Sequence, residues 1–132
     1  MKAIIYNSVG KILRLISAPE DRLSLQVQAG ELMLIGEANE FANYIDQGTV
    51  TQRPTQPTSL SKLTLTADGV DLITITNAPI GATFTAVNTV SGKVVTGLID
   101  GTDSFSTTIV GAYKITIVLW PYLDFEVTVN AI

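Results

Sequence analysis

Apolar and polar positions alternate with a period of two along most of this chain, and compact turn signals interrupt the alternation, the pattern of half-buried β-strands. From residue 61 onward the runs are Lys62–Thr66, Val70–Thr76, Thr83–Val87, Lys93–Leu98, Ser104–Ile109, Ala112–Leu119 and Asp124–Asn130. Between them lie Ala67-Asp68-Gly69, Asn77 to Gly81, Asn88 to Gly92, Asp100 to Asp103, Val110-Gly111 and Trp120-Pro121. The period assigns Leu63, Leu65, Ile73, Ile75, Phe84, Phe105, Tyr113, Ile115, Ile117, Phe125, Val127 and Val129 to an inner face. Seven strands in roughly 70 residues predict a seven-stranded immunoglobulin-like β-sandwich, in which two sheets bury alternate side chains.

The first 53 residues predict a smaller β-rich unit. Ala3–Tyr6 and Lys11–Ile16 flank Asn7-Ser8-Val9-Gly10, whose Asn and Gly tolerate the positive φ of a tight reversal, so they form a hairpin. Ser17-Ala18-Pro19-Glu20 has the spacing of a capping box with proline near the first turn, which allows one short helix through Gln26. Leu23, Leu25 and Val27 also alternate, so a strand competes with that helix. Glu31–Ile35 reads as a strand, and Asn43–Asp46 pairs with Thr49–Gln52 across Gln47-Gly48.

Threonine usage divides the chain. Residues 1–48 contain none, whereas residues 49–132 contain seventeen. Between the two regimes, Gln52 to Ser59 carries two prolines among short polar residues and reads as an extended, solvated connector. The expected organisation is therefore a β-rich domain over 1–53, a connector over 54–60 and the sandwich over 61–132.

The composition removes most side-chain chemistry. Among 132 residues there is neither cysteine nor histidine, which excludes disulfides, thiolate and imidazole metal sites, Cys nucleophiles and the Ser-His-Asp triad. The net charge is −4 and the eight Lys and Arg residues are scattered singly, so no cationic face for nucleic acid or an anionic membrane is expected. The apolar start Ala3–Tyr6 is too short for a signal peptide, and no run approaches a membrane span of about 20 residues. Synthesis in the cytoplasm without a signal peptide is the expectation.

The remaining candidates have simpler readings. Asp68-Gly69-Val70-Asp71 and Asp100-Gly101-Thr102-Asp103 place carboxylates near a glycine, but neither supplies the regular ligand series of a calcium loop, and both suit tight turns. No spacing singles out a carboxylate pair for glycoside hydrolysis. Thr64/Thr66, Thr74/Thr76 and Thr83/Thr85 each share a strand face, as in ice-binding arrays, yet they lack a constant repeat and fit the solvated side of a sheet. Neither a cofactor nor a metal is expected.

Trp120-Pro121-Tyr122 stands apart. The only tryptophan closes the apolar run Ile115–Leu119 beside a proline and near a tyrosine, where a strand must turn. Aromatics at such a tip anchor a protein partner or stack on a sugar, whereas the simpler reading has Trp120 closing the core end. Trp120 and Tyr122 are the candidate partner-binding residues.

The succession Tyr6, Gly10-Lys11-Ile12-Leu13-Arg14, Pro19, Leu25-Gln26, Gly30-Glu31, Gly36-Glu37-Ala38, Tyr44-Ile45-Asp46, Gly48-Thr49-Val50 and Arg53-Pro54 resembles the opening of small tail-associated proteins of tailed bacteriophages. Pro79-Ile80-Gly81-Ala82, Gly111-Ala112-Tyr113 and Trp120 to Glu126 extend the resemblance through the second half. It implies a non-enzymatic virion structural protein located at the tail, an adaptor or decoration protein docking on a larger tail or fibre assembly. Its implied partners are other virion proteins, with self-association left open. The alternative is a receptor-binding module that recognises a bacterial surface glycan or protein through its loops.

Overall fold

The computed structural model describes residues 1–132, and the chain is mainly β with one short 3-10 helix. It divides into two compact units, Met1–Pro54 and Thr55–Ile132.

In the first unit, β1 (Lys2–Tyr6), β2 (Ile12–Ser17) and β3 (Leu32–Ile35) form an antiparallel sheet in the order β2-β1-β3. β1 is the central strand, and Ala3, Ile4 and Ile5 are all buried, so both faces of the sheet are covered there. Ile4 packs with Ile12 and Ile45 on one face. On the other, Arg14 stands opposite Ile5, and its guanidinium reaches the Gln26 carbonyl and both carboxylate oxygens of Glu31. That fork ties the 3-10 helix Glu20–Gln26, with its buried Leu23, across the sheet. The expected capping box is not made: Pro19 occupies the N-cap and no side chain caps the helix. The competing strand is not formed either, and Leu25 is exposed.

The hairpin of β4 (Asn43–Asp46) and β5 (Thr49–Gln52) turns through Gln47 and Gly48, both at positive φ, as a two-residue reversal with native strand twist requires. Gly10 attaches this hairpin to the first sheet. Its carbonyl accepts from the Ile45 N–H at 2.8 Å, and a Cβ on Gly10 would lie 2.0 Å from the Ile45 carbonyl oxygen.

The second unit is a sandwich of five and three strands. The elements are β6 (Ser59–Leu60), β7 (Thr64–Leu65), β8 (Ile73–Thr76), β9 (Thr83–Asn88), β10 (Val94–Leu98), β11 (Asp103–Phe105), β12 (Gly111–Val118) and β13 (Phe125–Ala131). The larger sheet runs β10-β9-β12-β13-β7 and the smaller β11-β8-β6. There are thus eight strands where the pattern predicts seven. The expected first strand is split: β6 pairs antiparallel with β8 in one sheet, and β7 pairs parallel with β13 in the other.

Leu63 lies where the chain crosses between the sheets, and it is exposed rather than internal. Phe125 and Val127 are half-buried against the core. The other assigned inner residues are buried, from Leu65 and Ile73 to Val129. Phe105 packs between Phe84, tilted at 6.1 Å, and Tyr113, edge-on at 5.1 Å, linking the two sheets through aromatic contact. Tyr113 adds a polar lock: its hydroxyl donates to the Ile109 carbonyl and shares a 2.7 Å hydrogen bond with Thr107. β11 ends at Phe105, short of the expected Ile109.

The connector read over 54–60 is not a solvated tether. Gln56 and Thr58 are buried, and Ser59-Leu60 already forms β6. Gln56 Nε2 donates to the carbonyls of Ile117 at 2.7 Å and Leu123 at 3.0 Å, while its Oε1 accepts from Thr58.

Candidate partner-binding surface

Two parts of the sandwich present side chains suited to contact. The first is the loop 119–124 between β12 and β13, which contains Trp120 and Tyr122. Both are half-buried, and the Trp120-Pro121 peptide is cis. Gln56 pins the loop from below, because the two carbonyls it satisfies lie on either side of Trp120 and Tyr122.

Register shows which loops share that end. Val118, at the end of β12, pairs with Thr83, at the start of β9, and Thr83 pairs with Leu98, at the end of β10. Loops 77–82, 99–102 and 119–124 therefore leave the sandwich together. The first carries Ile80, which is 73% exposed. A large exposed aliphatic near a loop containing tryptophan and tyrosine gives this end its contact chemistry.

The second part is the outer face of the larger sheet. On β10, β9 and β12 the registers align Val94 with Val87 and Lys114, Thr96 with Thr85 and Thr116, and Leu98 with Thr83 and Val118. The face is uncharged from Thr83 to Val87 and across β10, and Lys114 at its border is paired with Glu126. Composition alone did not reveal this surface. The signal was present in the apolar Val94-Val95-Thr96-Gly97-Leu98, but only pairing places it at the sheet's end.

The three Thr-x-Thr pairs do not form one array. Thr64 stands on β7, Thr74 and Thr76 on β8 in the other sheet, and Thr83 and Thr85 on β9. The observed threonine row runs across strands instead, through Thr96, Thr85 and Thr116.

The acidic turns are occupied by backbone contacts. Asp68 accepts the Val70 and Asp71 N–H groups; Asp71 accepts that of Thr66 and pairs with Lys62. Asp103 accepts from Asp100 and Gly101, and Asp100 from Thr102. Hydrogen bonds to the ionised form hold Asp68 and Asp71 below the usual carboxylate range. Arg14 and the Gln28 N–H lower Glu31 to about 2, and Lys2 lowers Glu37. A general acid in glycoside hydrolysis needs the opposite shift.

Asn88 is buried at the other end of the sandwich. Its Oδ1 accepts from Val90 and Ser91, holding the β9–β10 turn. Gly111 leaves the room for it, since a Cβ there would come within 2.9 Å of Asn88 Nδ2.

Comparison with protein-family models, curated proteins and solved structures finds no match to this chain.

Proposed function

We propose that this chain is a non-enzymatic structural protein of a bacteriophage virion, a tail-associated adaptor that joins larger tail or fibre components. The observation that carries the contact role is the Val/Thr/Leu face of β10 and β9, uncharged up to Lys114 on β12, of which Val94 is 54% and Leu98 71% exposed. Such a surface recognises protein by area and shape rather than by charge. The tail assignment rests on the sequence resemblance. The polar groups support a structural reading, because the acidic side chains with shifted pKa values serve turns and ion pairs.

A second reading follows from the loop end. Trp120, Tyr122 and Ile80 offer aromatic and aliphatic area on short loops held by a sandwich, the arrangement that receptor-binding modules use. Particle fractionation tests the first reading: the chain should co-sediment with intact particles, and its absence from particles while abundant in infected-cell lysate would overturn the virion role. Trp120→Ala and Tyr122→Ala then separate the two. A folded variant that fails to enter particles makes the loop a docking surface; one that enters them but no longer supports adsorption makes it a receptor site. A collapsed melting temperature returns Trp120 to packing.

A further inference from the structure

Of the four strands that end the two sheets, β10 is the longest. β7 and β6 are two residues each, and β11 is three and begins with Asp103. β10 has five residues in continuous register with β9, without a bulge, proline or charge, and all five are exposed. Natural sheets usually protect such an edge.

The edge has a defined hydrogen-bonding parity. The Asn88 N–H donates to the Lys93 carbonyl and the Ile99 N–H to the Ala82 carbonyl. Antiparallel alternation then turns the backbone groups of Val95 and Gly97 toward β9, and those of Val94, Thr96 and Leu98 outward.

Gly97 adds an independent clue. The chain has ten glycines, and nine of them have positive φ. Gly97 does not, and a Cβ placed on it would meet nothing within 4 Å. Neither backbone conformation nor packing within the chain calls for glycine there. A glycine inside a strand also weakens it, and where no bulge or bend accounts for it such a glycine marks close approach by a ligand or another backbone.

We infer that β10 pairs antiparallel with β10 of a second copy, about a two-fold axis at Thr96, to join the two five-stranded sheets into one. The sequence of the strand complements itself in that register. Thr96 faces the second copy's Thr96, Val94 faces Leu98, and Val95 enters the space left by Gly97. All three outward residues exchange both N–H and C=O with their opposites. In this register Lys93 stands opposite Ile99, one residue short of Asp100, whereas parallel pairing would bring Lys93 against Lys93. The groove of about 250 Å³ that runs beside β10, between Phe84, Val95, Gly97 and Phe105, receives the incoming valine. This commits the edge to a second copy rather than to an unrelated strand, and it does not depend on the virion reading.

Five residues per copy form a contact smaller than the ~800 Å² per partner of a standard interface, so association is weak and rises with concentration. The absence of cysteine makes the register directly testable in the purified full chain. Under mild oxidation Thr96→Cys should cross-link several-fold faster than Val90→Cys, an 86% exposed control in the β9–β10 turn. Val94→Cys mixed with Leu98→Cys should cross-link faster than either alone. Gly97→Val in the Thr96→Cys background should keep the melting temperature and abolish the rate advantage, because the added side chain meets Val95 of the second copy. Thr96→Lys, which places like charges face to face, should keep the chain monomeric in sedimentation at concentrations where the native chain associates. Equal rates for Thr96→Cys and Val90→Cys, or undiminished cross-linking with Gly97→Val, would overturn the proposal.

Discussion

The two units solve the same problem, a small β structure without disulfides, by different means. The second buries a core of thirteen residues in which Phe84, Phe105 and Tyr113 span the two sheets. The first buries no aromatic residue; its core cluster is Ile4, Ile12 and Ile45. Its loops are held by specific polar and backbone contacts: the Arg14 fork over the 3-10 helix, the Gly10–Ile45 approach, and Asn39 accepting the N–H groups of Phe41 and Ala42. Apolar area stabilises in proportion to what is buried, whereas a single tight approach tolerates no added atom. Damage should therefore be graded in the second unit and abrupt in the first.

Gly10→Ala and Phe105→Ala give the sharpest contrast. The alanine at 10 adds an atom 2.0 Å from a backbone oxygen at a φ of 83°, which forces β4 away from the β1–β2 turn. In an amide spectrum of the full chain, the resonances of the first unit should collapse while those of the second keep their dispersion. Phe105→Ala should cost about 3–5 kcal/mol in the second unit and leave the first intact. Loss of both sets of resonances from either variant would show that the units do not unfold separately.

The next effect is at Gln56, where the boundary between the units can be sharpened. Gln56→Ala leaves the buried Ile117 carbonyl and the Leu123 carbonyl without their donor, and should lower the melting temperature of the second unit by the equivalent of about 1–3 kcal/mol. A fragment 55–132 should accordingly melt higher than a fragment 61–132, which also lacks β6. Equal melting would make residues 55–60 a passive connector.

Tyr113→Phe removes the hydroxyl but keeps the ring against Phe105. Denaturant unfolding should report a loss of about 1 kcal/mol. A loss as large as that of Phe105→Ala would mean the hydroxyl network, not aromatic packing, dominates the second core.

The smallest effect belongs to Glu31. Its carboxyl falls from an ordinary 4.5 to about 2 in the folded chain, through Arg14 first and the Gln28 N–H second. A depressed carboxylate stabilises fully above its unfolded pKa and loses that contribution as pH falls toward its folded value. Melting of the first unit should therefore weaken between about pH 4.5 and pH 2 by more than in Glu31→Gln, which has no charge to lose there. Identical profiles would remove the fork from the account of the first unit. Lys2–Glu37 and Lys114–Glu126 are exposed pairs and should matter little.

Local chemistry made several elements legible before any tertiary contact. Gln47-Gly48 specified a two-residue reversal, and Asn43–Asp46 pairs with Thr49–Gln52 across it. The alternation Tyr113, Ile115, Ile117 assigned the inner side of β12, because period two depends only on the pleat. The candidate loop could likewise be located from Trp120-Pro121, which interrupts the apolar run. Its support could not: Gln56 is a short polar residue between prolines, and its 61-residue reach to Ile117 exists only once the sheet has formed.

Sequence by itself thus determined the strand-rich class, the turns and most of the side-chain alternation, since each depends on neighbours along the chain. Tertiary structure decided that the first sandwich strand divides between two sheets, that Leu63 lies outside at the crossing, and that the threonine pairs part company. It also decided that the uncharged β10 ends a sheet instead of lying within one. The physical reason is common to all four: a strand's pattern fixes which side chains share a face, but its partner, its sheet and its place at an edge are set by pairing between residues far apart in the chain.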